Sequence, residues 1–190
     1  EEVADYSNNY KLGDDTKIRS VSVFFYGGTT RASQATSEDA MTTSNSYKGS
    51  VVTTLALQSV TTYVGEKGME TADFSENYQV GTTTIKSVSV FLYGDSEYSA
   101  ASAVDADLDE AMTRSDSYKG TSVTTGQIQS ATYYEGLKGE EVADYSNNYK
   151  LGDDTKIRSV SVFFYGGTTR ASQATSEDAM TTSNSYKGSV

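Results

Sequence analysis

The clearest periodic signal in the chain is a short alternation of apolar and polar residues that ends at a pair of glycines. Across residues 20–26, serine alternates with valine and phenylalanine before the Gly27–Gly28 pair. β-Branched and aromatic residues at a period of two predict a strand. Alternation places Val21, Val23 and Phe25 on one face, which we predict to be core. The other face is half polar and carries Ser20, Ser22, Phe24 and Tyr26.

This alternation recurs because the chain is a tandem repeat. Residues 1–51 return without a single change as residues 140–190, and a weaker copy lies between them. Internal repeats of this kind set the organisation of a fold. We therefore assign three repeats of about 70 residues. They are repeat A at residues 1–68, a diverged repeat B at residues 69–139, and repeat A again, incomplete, at residues 140–190.

Other extended stretches are shorter or less regular. Residues 50–64 are rich in valine, threonine and leucine. A single strand of that length would run about 50 Å, so we expect two strands, or one bent near Gln58–Ser59. The remaining predictions are strands at residues 2–6, 10–12, 70–74 and 78–80, and turns at residues 13–15 and 81–83.

One segment has the spacing of a helix. Ala101, Val104, Leu108 and Met112 recur at helical intervals, which predicts a short helix over residues 100–112. Its counterpart in repeat A, residues 31–41, has only weak helical character. The predicted fold class is therefore mainly β, with tandem β-sandwich-like repeats of about 70 residues and at most one short helix per repeat.

Composition excludes much chemistry. The 190 residues contain no cysteine, histidine, proline or tryptophan, and the net charge is -11. The chain therefore lacks disulfides, thiolate ligands and the commonest general base. Its negative charge argues against nucleic acid as a partner. The sequence contains no run of 18 apolar residues, so it predicts no membrane-spanning helix. We expect no enzyme, no catalytic, cofactor-binding or metal-binding residues, and no cofactor.

Three residue patterns carry alternative interpretations. The run Asp105, Asp107, Asp109 and Glu110 begins like a calcium loop but lacks its glycine and distal glutamate, so we interpret it as a solvated acidic face. The recurring tyrosines are predicted to pack with their hydroxyls at the surface, and the alternative is a sugar-stacking surface. Strings of serine and threonine suit strands, and they also allow O-linked glycans.

A repeat of about 70 residues with little apolar content is marginal by itself. In repeat proteins each unit gains the stability it lacks by packing against its neighbours. The third copy ends before its last strands. We interpret the chain as a window cut from a longer array, with an engineered duplication as the alternative. A strand donated by a neighbouring molecule would fill the gap.

These observations favour a structural function. We expect a segment of an extracellular filament, pilus-like fibre or surface adhesin that self-assembles through β-strand contacts. Its expected partners are other copies of itself, with glycans possible, and its expected location is extracellular or the cell surface. The alternative is a carbohydrate- or calcium-binding repeat module multiplied for avidity.

Overall fold

A computed structural model describes residues 3–102, 109–124 and 126–188. Across these residues the chain is mainly β, with 12 strands in one antiparallel sheet. The strands follow chain order, except that the short β7 lies off the path beside β6. They are β1 (Tyr6–Lys11), β2 (Asp14–Tyr26), β3 (Met41–Lys48), β4 (Leu57–Val64), β5 (Thr71–Tyr78), β6 (Ile85–Tyr93), β7 (Tyr98–Ser99), β8 (Met112–Lys119), β9 (Ile128–Glu135), β10 (Val142–Lys150), β11 (Asp153–Tyr165) and β12 (Met180–Lys187).

The chain divides into two compact units, Glu1–Ser87 and Val88–Val190. In the first unit β1 to β5 pair in succession, and in the second β8 to β12 do the same. The connections range from the tight turn between β1 and β2 to the long loops of residues 27–40 and 166–179, all of which antiparallel neighbours allow. Neighbours in the sheet are therefore also neighbours in the chain.

The strand predicted from the alternation is confirmed and is longer than expected. Residues 20–26 form the second half of β2, where Val21 is buried and Val23 is 2% exposed. Both valines pack against Tyr47 of β3 on the face that the pattern assigns to the core. Partly buried Ile18, Phe25, Ala56 and Leu57 complete this cluster.

The opposite face of β2 is also covered, at one end. Tyr26 is buried there and its hydroxyl donates a hydrogen bond to the carbonyl of Ala4, at 2.6 Å. In the second unit the equivalent Tyr165 packs with Val142 and Ala171. Each unit therefore buries side chains on both faces of its sheet. A sandwich-like pairing of two sheets is not confirmed, because the described strands all belong to one sheet.

Short turns of 3-10 helix help to cover these faces. Thr54–Ala56 precedes β4 and brings Ala56 onto the valine cluster. Ala171–Gln173 supplies the buried Ala171 beside Tyr165 on the other face. The loops thus take the role that a second sheet has in a sandwich.

Several predicted strand boundaries are wrong. Within residues 50–64 only Leu57–Val64 is a strand, β4; it is not bent near Gln58–Ser59, and a 3-10 turn at Thr54–Ala56 precedes it. Ser59 pairs with Ser46 on one side and Asn77 on the other, so two ladders hold the chain straight at that point. Two strands were predicted at residues 2–6 and 10–12, and two at 70–74 and 78–80. The described residues form a single strand in each place, β1 (Tyr6–Lys11) and β5 (Thr71–Tyr78).

The predicted helix is also wrong where the structure describes it. Residues Ala100–Ser102 form a 3-10 turn, and Met112 is the first residue of β8. Residues 103–108, which include Val104 and Leu108, lie outside the described residues. Within residues 3–102, 109–124 and 126–188 there is no α-helix, and no described helix could cross a bilayer.

Candidate assembly edges

The duplicated sequence folds twice into the same three strands. Tyr6 faces Val23 in β1 and β2, and Tyr145 faces Val162 in β10 and β11. The pairings of β2 with β3 and of β11 with β12 also share one register. The covalent sequence of these strands is identical, so any difference between the copies comes from their neighbours.

Strand β12 shows such a difference. Its first-unit counterpart, β3, is covered by β4 on the side away from β2. No described strand lies beyond β12, and all eight of its residues are exposed. Tyr47 in β3 is 9% exposed, whereas the identical Tyr186 in β12 is 45% exposed. Without a described strand beside it, β12 therefore exposes side chains as well as backbone.

The backbone groups at this edge have a defined direction. Gly188 donates its N–H to the carbonyl of Arg158 in β11, at 2.8 Å. Alternate residues of an antiparallel strand point their N–H and C=O groups to opposite sides, so those of Ser185 point away from β11. The equivalent Ser46 lies opposite Ser59 and directs the same groups toward β4. Edge strands with such free groups can pair with another chain.

Strand β1 forms the other edge of the sheet. Phe24 of β2 donates its N–H to the carbonyl of Asp5, at 3.0 Å, so Tyr6 and Asn8 direct their N–H and C=O groups away from β2. No described strand lies on that side. Of the same six residues in β10, the first four, Tyr145–Asn148, pair with β9 at this position.

A register shift in β1 does not close this edge. The shift lies between Asn9 and Tyr10, and bulges often serve to block edge pairing. Strand β10 has the same shift between Asn148 and Tyr149, and still pairs with β9 through Asn148. The bulge is therefore compatible with a neighbour.

An ion pair fixes the loop after β2 to the segment that leads into β1. Arg31 donates two hydrogen bonds to the carboxylate of Asp5, at 2.9 and 2.6 Å, and its guanidinium lies 5.8 Å from the centre of the Phe25 ring. The hydrogen bond from Arg31 lowers the pKa of Asp5 below its ordinary value. Arg170 holds Asp144 in the same way in the second unit.

Repeat B contains a charged cluster that the sequence did not indicate. Arg114 donates to both carboxylate oxygens of Asp116, at 2.7 and 2.9 Å, and to Glu97, at 2.7 Å. Asp116 is 5% exposed, and this burial raises its pKa despite the guanidinium beside it. The groups satisfy one another, so we interpret the cluster as structural.

The residues that the sequence singled out do not form a described site. Asp105 and Asp107 lie outside the described residues, while Asp109 is exposed and contacts Lys138 at 3.4 Å. In the part of the chain that the structure describes, no group of three or more acidic residues could hold a metal ion. Several tyrosines do pack as predicted, but the hydroxyl of Tyr26 is bonded within the fold.

An acid-labile turn is expected at Asp153, which begins β11. Lys156 and Thr155 hydrogen-bond its carboxylate at 2.8 and 2.6 Å, and these bonds lower its pKa from 3.8 to about 2. Because the folded pKa is below the unfolded one, the stabilisation is full above pH 3.8 and is lost as pH falls through about 2. We expect Asp153→Asn to reduce the pH dependence of urea unfolding between pH 5 and pH 2. An unchanged dependence would contradict this assignment.

Strands β1 and β12 are thus the two edges of the sheet in the described residues. Each carries outward backbone groups, and each has an identical strand elsewhere in the chain that is covered. No protein-family model, curated protein or solved structure matches this chain.

Proposed function

We propose that the chain is a structural tandem-repeat segment of an extracellular filament, pilus-like fibre or surface adhesin. In this proposal copies assemble by adding β-strands at the open edges of the sheet, and the partners are other copies of the chain. The observation that carries it is the contrast between Tyr47 and Tyr186, which belong to identical strands with and without a neighbour.

The strand order supports this mode of assembly. Each strand of a unit pairs with the strand next to it in sequence, so a further strand at an edge continues the existing pattern. Main-chain hydrogen bonds supply affinity in strand addition, and alternate side chains supply specificity. A contact of this type needs no catalytic or cofactor-binding group.

The acidic surface sets the conditions for association. With a net charge of -11, copies repel one another at low ionic strength. Salt screens exposed charges beyond about 8 Å at 0.15 M ionic strength. Association through the edges is therefore expected to strengthen as salt is raised.

Substitutions at both edges test the proposal. Asn8→Pro and Ser185→Pro each remove an outward N–H, and proline is tolerated at such edge positions. We expect the wild-type chain to form larger species with rising concentration and salt in sedimentation and light scattering, and extended assemblies by negative-stain microscopy. The double variant should remain monomeric.

Circular dichroism and thermal unfolding of the double variant provide the control, because a folded monomer is required. Equal association of the two proteins would overturn assembly through these edges. A wild-type chain that stays monomeric under all these conditions would overturn the proposed function itself.

A further inference from the structure

The first unit carries a polar groove on the face of the sheet opposite the valine cluster. This groove has a volume of about 640 Å³ and crosses strands β2 to β5. Its lining includes the cations Arg19 and Lys48 and no carboxylate. We propose that this basic groove binds an acidic saccharide. The site lies on a face of the sheet, so it does not depend on assembly through the edges.

Two irregularities in strand pairing place long polar side chains in the basic groove. Arg19 is the extra residue of β2 where its pairing with β1 shifts register, and Gln58 is the extra residue of β4 where its pairing with β3 shifts. A bulge redirects a side chain, and bulges are over-represented next to active sites. Both side chains line the groove. The sheet therefore departs from regular pairing at two residues of one site.

The two cations of the basic groove are available to a ligand. Arg31, Arg114 and Arg170 each bind a carboxylate within the fold. Arg19 and Lys48, on the neighbouring strands β2 and β3, are exposed and have no carboxylate partner among the described residues. Two such cations in a lining without carboxylates attract an anion, and charge-assisted hydrogen bonds would hold it.

The floor of the basic groove offers hydrogen bonds to hydroxyl groups. Ser46, Ser59 and Asn77 lie side by side on β3, β4 and β5. In the part of the chain that the structure describes, neither serine hydroxyl nor the amide of Gln58 has a side-chain partner. These groups both donate and accept, as sugar hydroxyls do, and Tyr78 borders the groove with apolar ring surface. A ligand with hydroxyls and a negative charge is an acidic saccharide.

The two diverged repeats retain this polar face and change the other one. Strands β3 and β8 differ only at Thr43, which is Arg114 in β8, and at Asn45, which is Asp116. Both positions share the face of Tyr47 and the valine cluster. A core face usually limits change more than a polar face does. Exposed polar residues that persist between diverged copies therefore indicate binding.

The retained residues form the same row in the second unit. Ser117, Ser130 and Asn148 lie side by side on β8, β9 and β10. A row that recurs along the chain suits a ligand that is itself a repeating polymer, since multiple sites add avidity. Five residues of the basic groove are identical in repeat B: Ser46, Lys48, Gln58, Ser59 and Asn77 recur as Ser117, Lys119, Gln129, Ser130 and Asn148.

Titration of the full chain with short saccharides tests the proposal. The amides of Gln58 and Ser59 are followed by NMR, because they belong to a segment that occurs once in the chain. We expect saturable shifts at these amides with tetragalacturonate or with a heparin-derived tetrasaccharide, which distinguish a carboxylate from a sulfate as the anion. A neutral tetramer of α-1,4-linked glucose and tetraglutamate are controls of matched length, and both should bind far more weakly.

The chain also offers a matched pair of variants. Arg19→Gln with Lys48→Gln should raise the Kd measured at Gln58 and Ser59 about tenfold or more, because it removes two charged contacts. Arg158→Gln with Lys187→Gln removes the same charges from the identical strands β11 and β12, beside which no described strand supplies the rest of the row. This control should leave the Kd nearly unchanged. All four side chains are exposed, and circular dichroism verifies that both variants fold.

Four results would overturn the inference. They are no shift with either acidic tetrasaccharide, equal binding of the neutral tetramer, equal binding of tetraglutamate, and equal losses in the two double variants. Sedimentation tests the proposed function separately. A monomeric chain that binds the saccharide contradicts only the proposed function, and an assembling chain that binds none contradicts only this inference.

Discussion

Proline at Ser46 is expected to destabilise the first unit by about 1–3 kcal/mol, the cost of leaving a ladder group without its hydrogen-bond partner, whereas proline at Ser185 should leave the second unit folded. The two serines occupy the same place in the identical strands β3 and β12. Ser46 directs its N–H toward Ser59 in β4, so proline there removes a ladder hydrogen bond and introduces a clash. Urea unfolding followed by circular dichroism measures the difference.

Because β3 and β12 have the same sequence, the effect of proline on the paired strand can be separated from its effect on the unfolded chain. The flanking residues are the same in both strands, so intrinsic propensity and unfolded-state effects of the proline cancel. At these two strands the difference is the outer neighbour, since β4 lies beside β3 and no described strand lies beside β12. Similar losses for the two variants would show that β12 is already paired along its outer edge or that the register is not as described.

Asp116→Ala is expected to destabilise the second unit by about 3 kcal/mol, because it leaves the Arg114 guanidinium without its main partner inside the fold. Arg114 is held on one side by Asp116 and on the other by the more exposed Glu97. Loss of Glu97 alone, in Glu97→Gln, should cost about 1 kcal/mol or less, since an exposed pair contributes little. Chemical denaturation of the three proteins measures this order.

A double substitution separates the charge from the packing. Arg114→Met with Asp116→Leu replaces both charged groups by apolar ones of similar size, and we expect it to recover most of the loss. Failure of the double variant to recover, with Asp116→Ala still harmful, would show that the carboxylate is needed for more than pairing with Arg114. The absence of any effect of Asp116→Ala would contradict its burial.

The sequence predicted the β2 strand well because one local pattern determined it. Val21 and Val23 alternate with serine, and a buried face against Tyr47 follows from that alternation. The same alternation occurs in each of the three repeats and predicts the equivalent strand there. Residue patterns alone could not show that Tyr26 is buried as well, since its partner is the carbonyl of Ala4, which lies before β1.

Non-local contacts account for most of what the sequence did not predict. Arg114 and Asp116 are two residues apart on β8, but their burial depends on strands and loops distant in sequence. The predicted helix relied on an apolar spacing, and at Met112 the pairing of β8 overrides it. Local sequence also could not predict that β3 is covered by β4 while the identical β12 is exposed, because the two strands have the same residues.

Pairing each strand with its neighbour in the chain has a mechanical consequence. Tension that pulls adjacent strands apart acts on the hydrogen bonds of one strand pair at a time, so the pairs break in sequence. Pairs joined by a tight turn, such as β10 and β11 with only Leu151 and Gly152 between them, need little loop closure to form again, so their recovery is fast. A fibre built in this way would lengthen in small reversible steps under load, and would yield gradually where a sheared sheet would break.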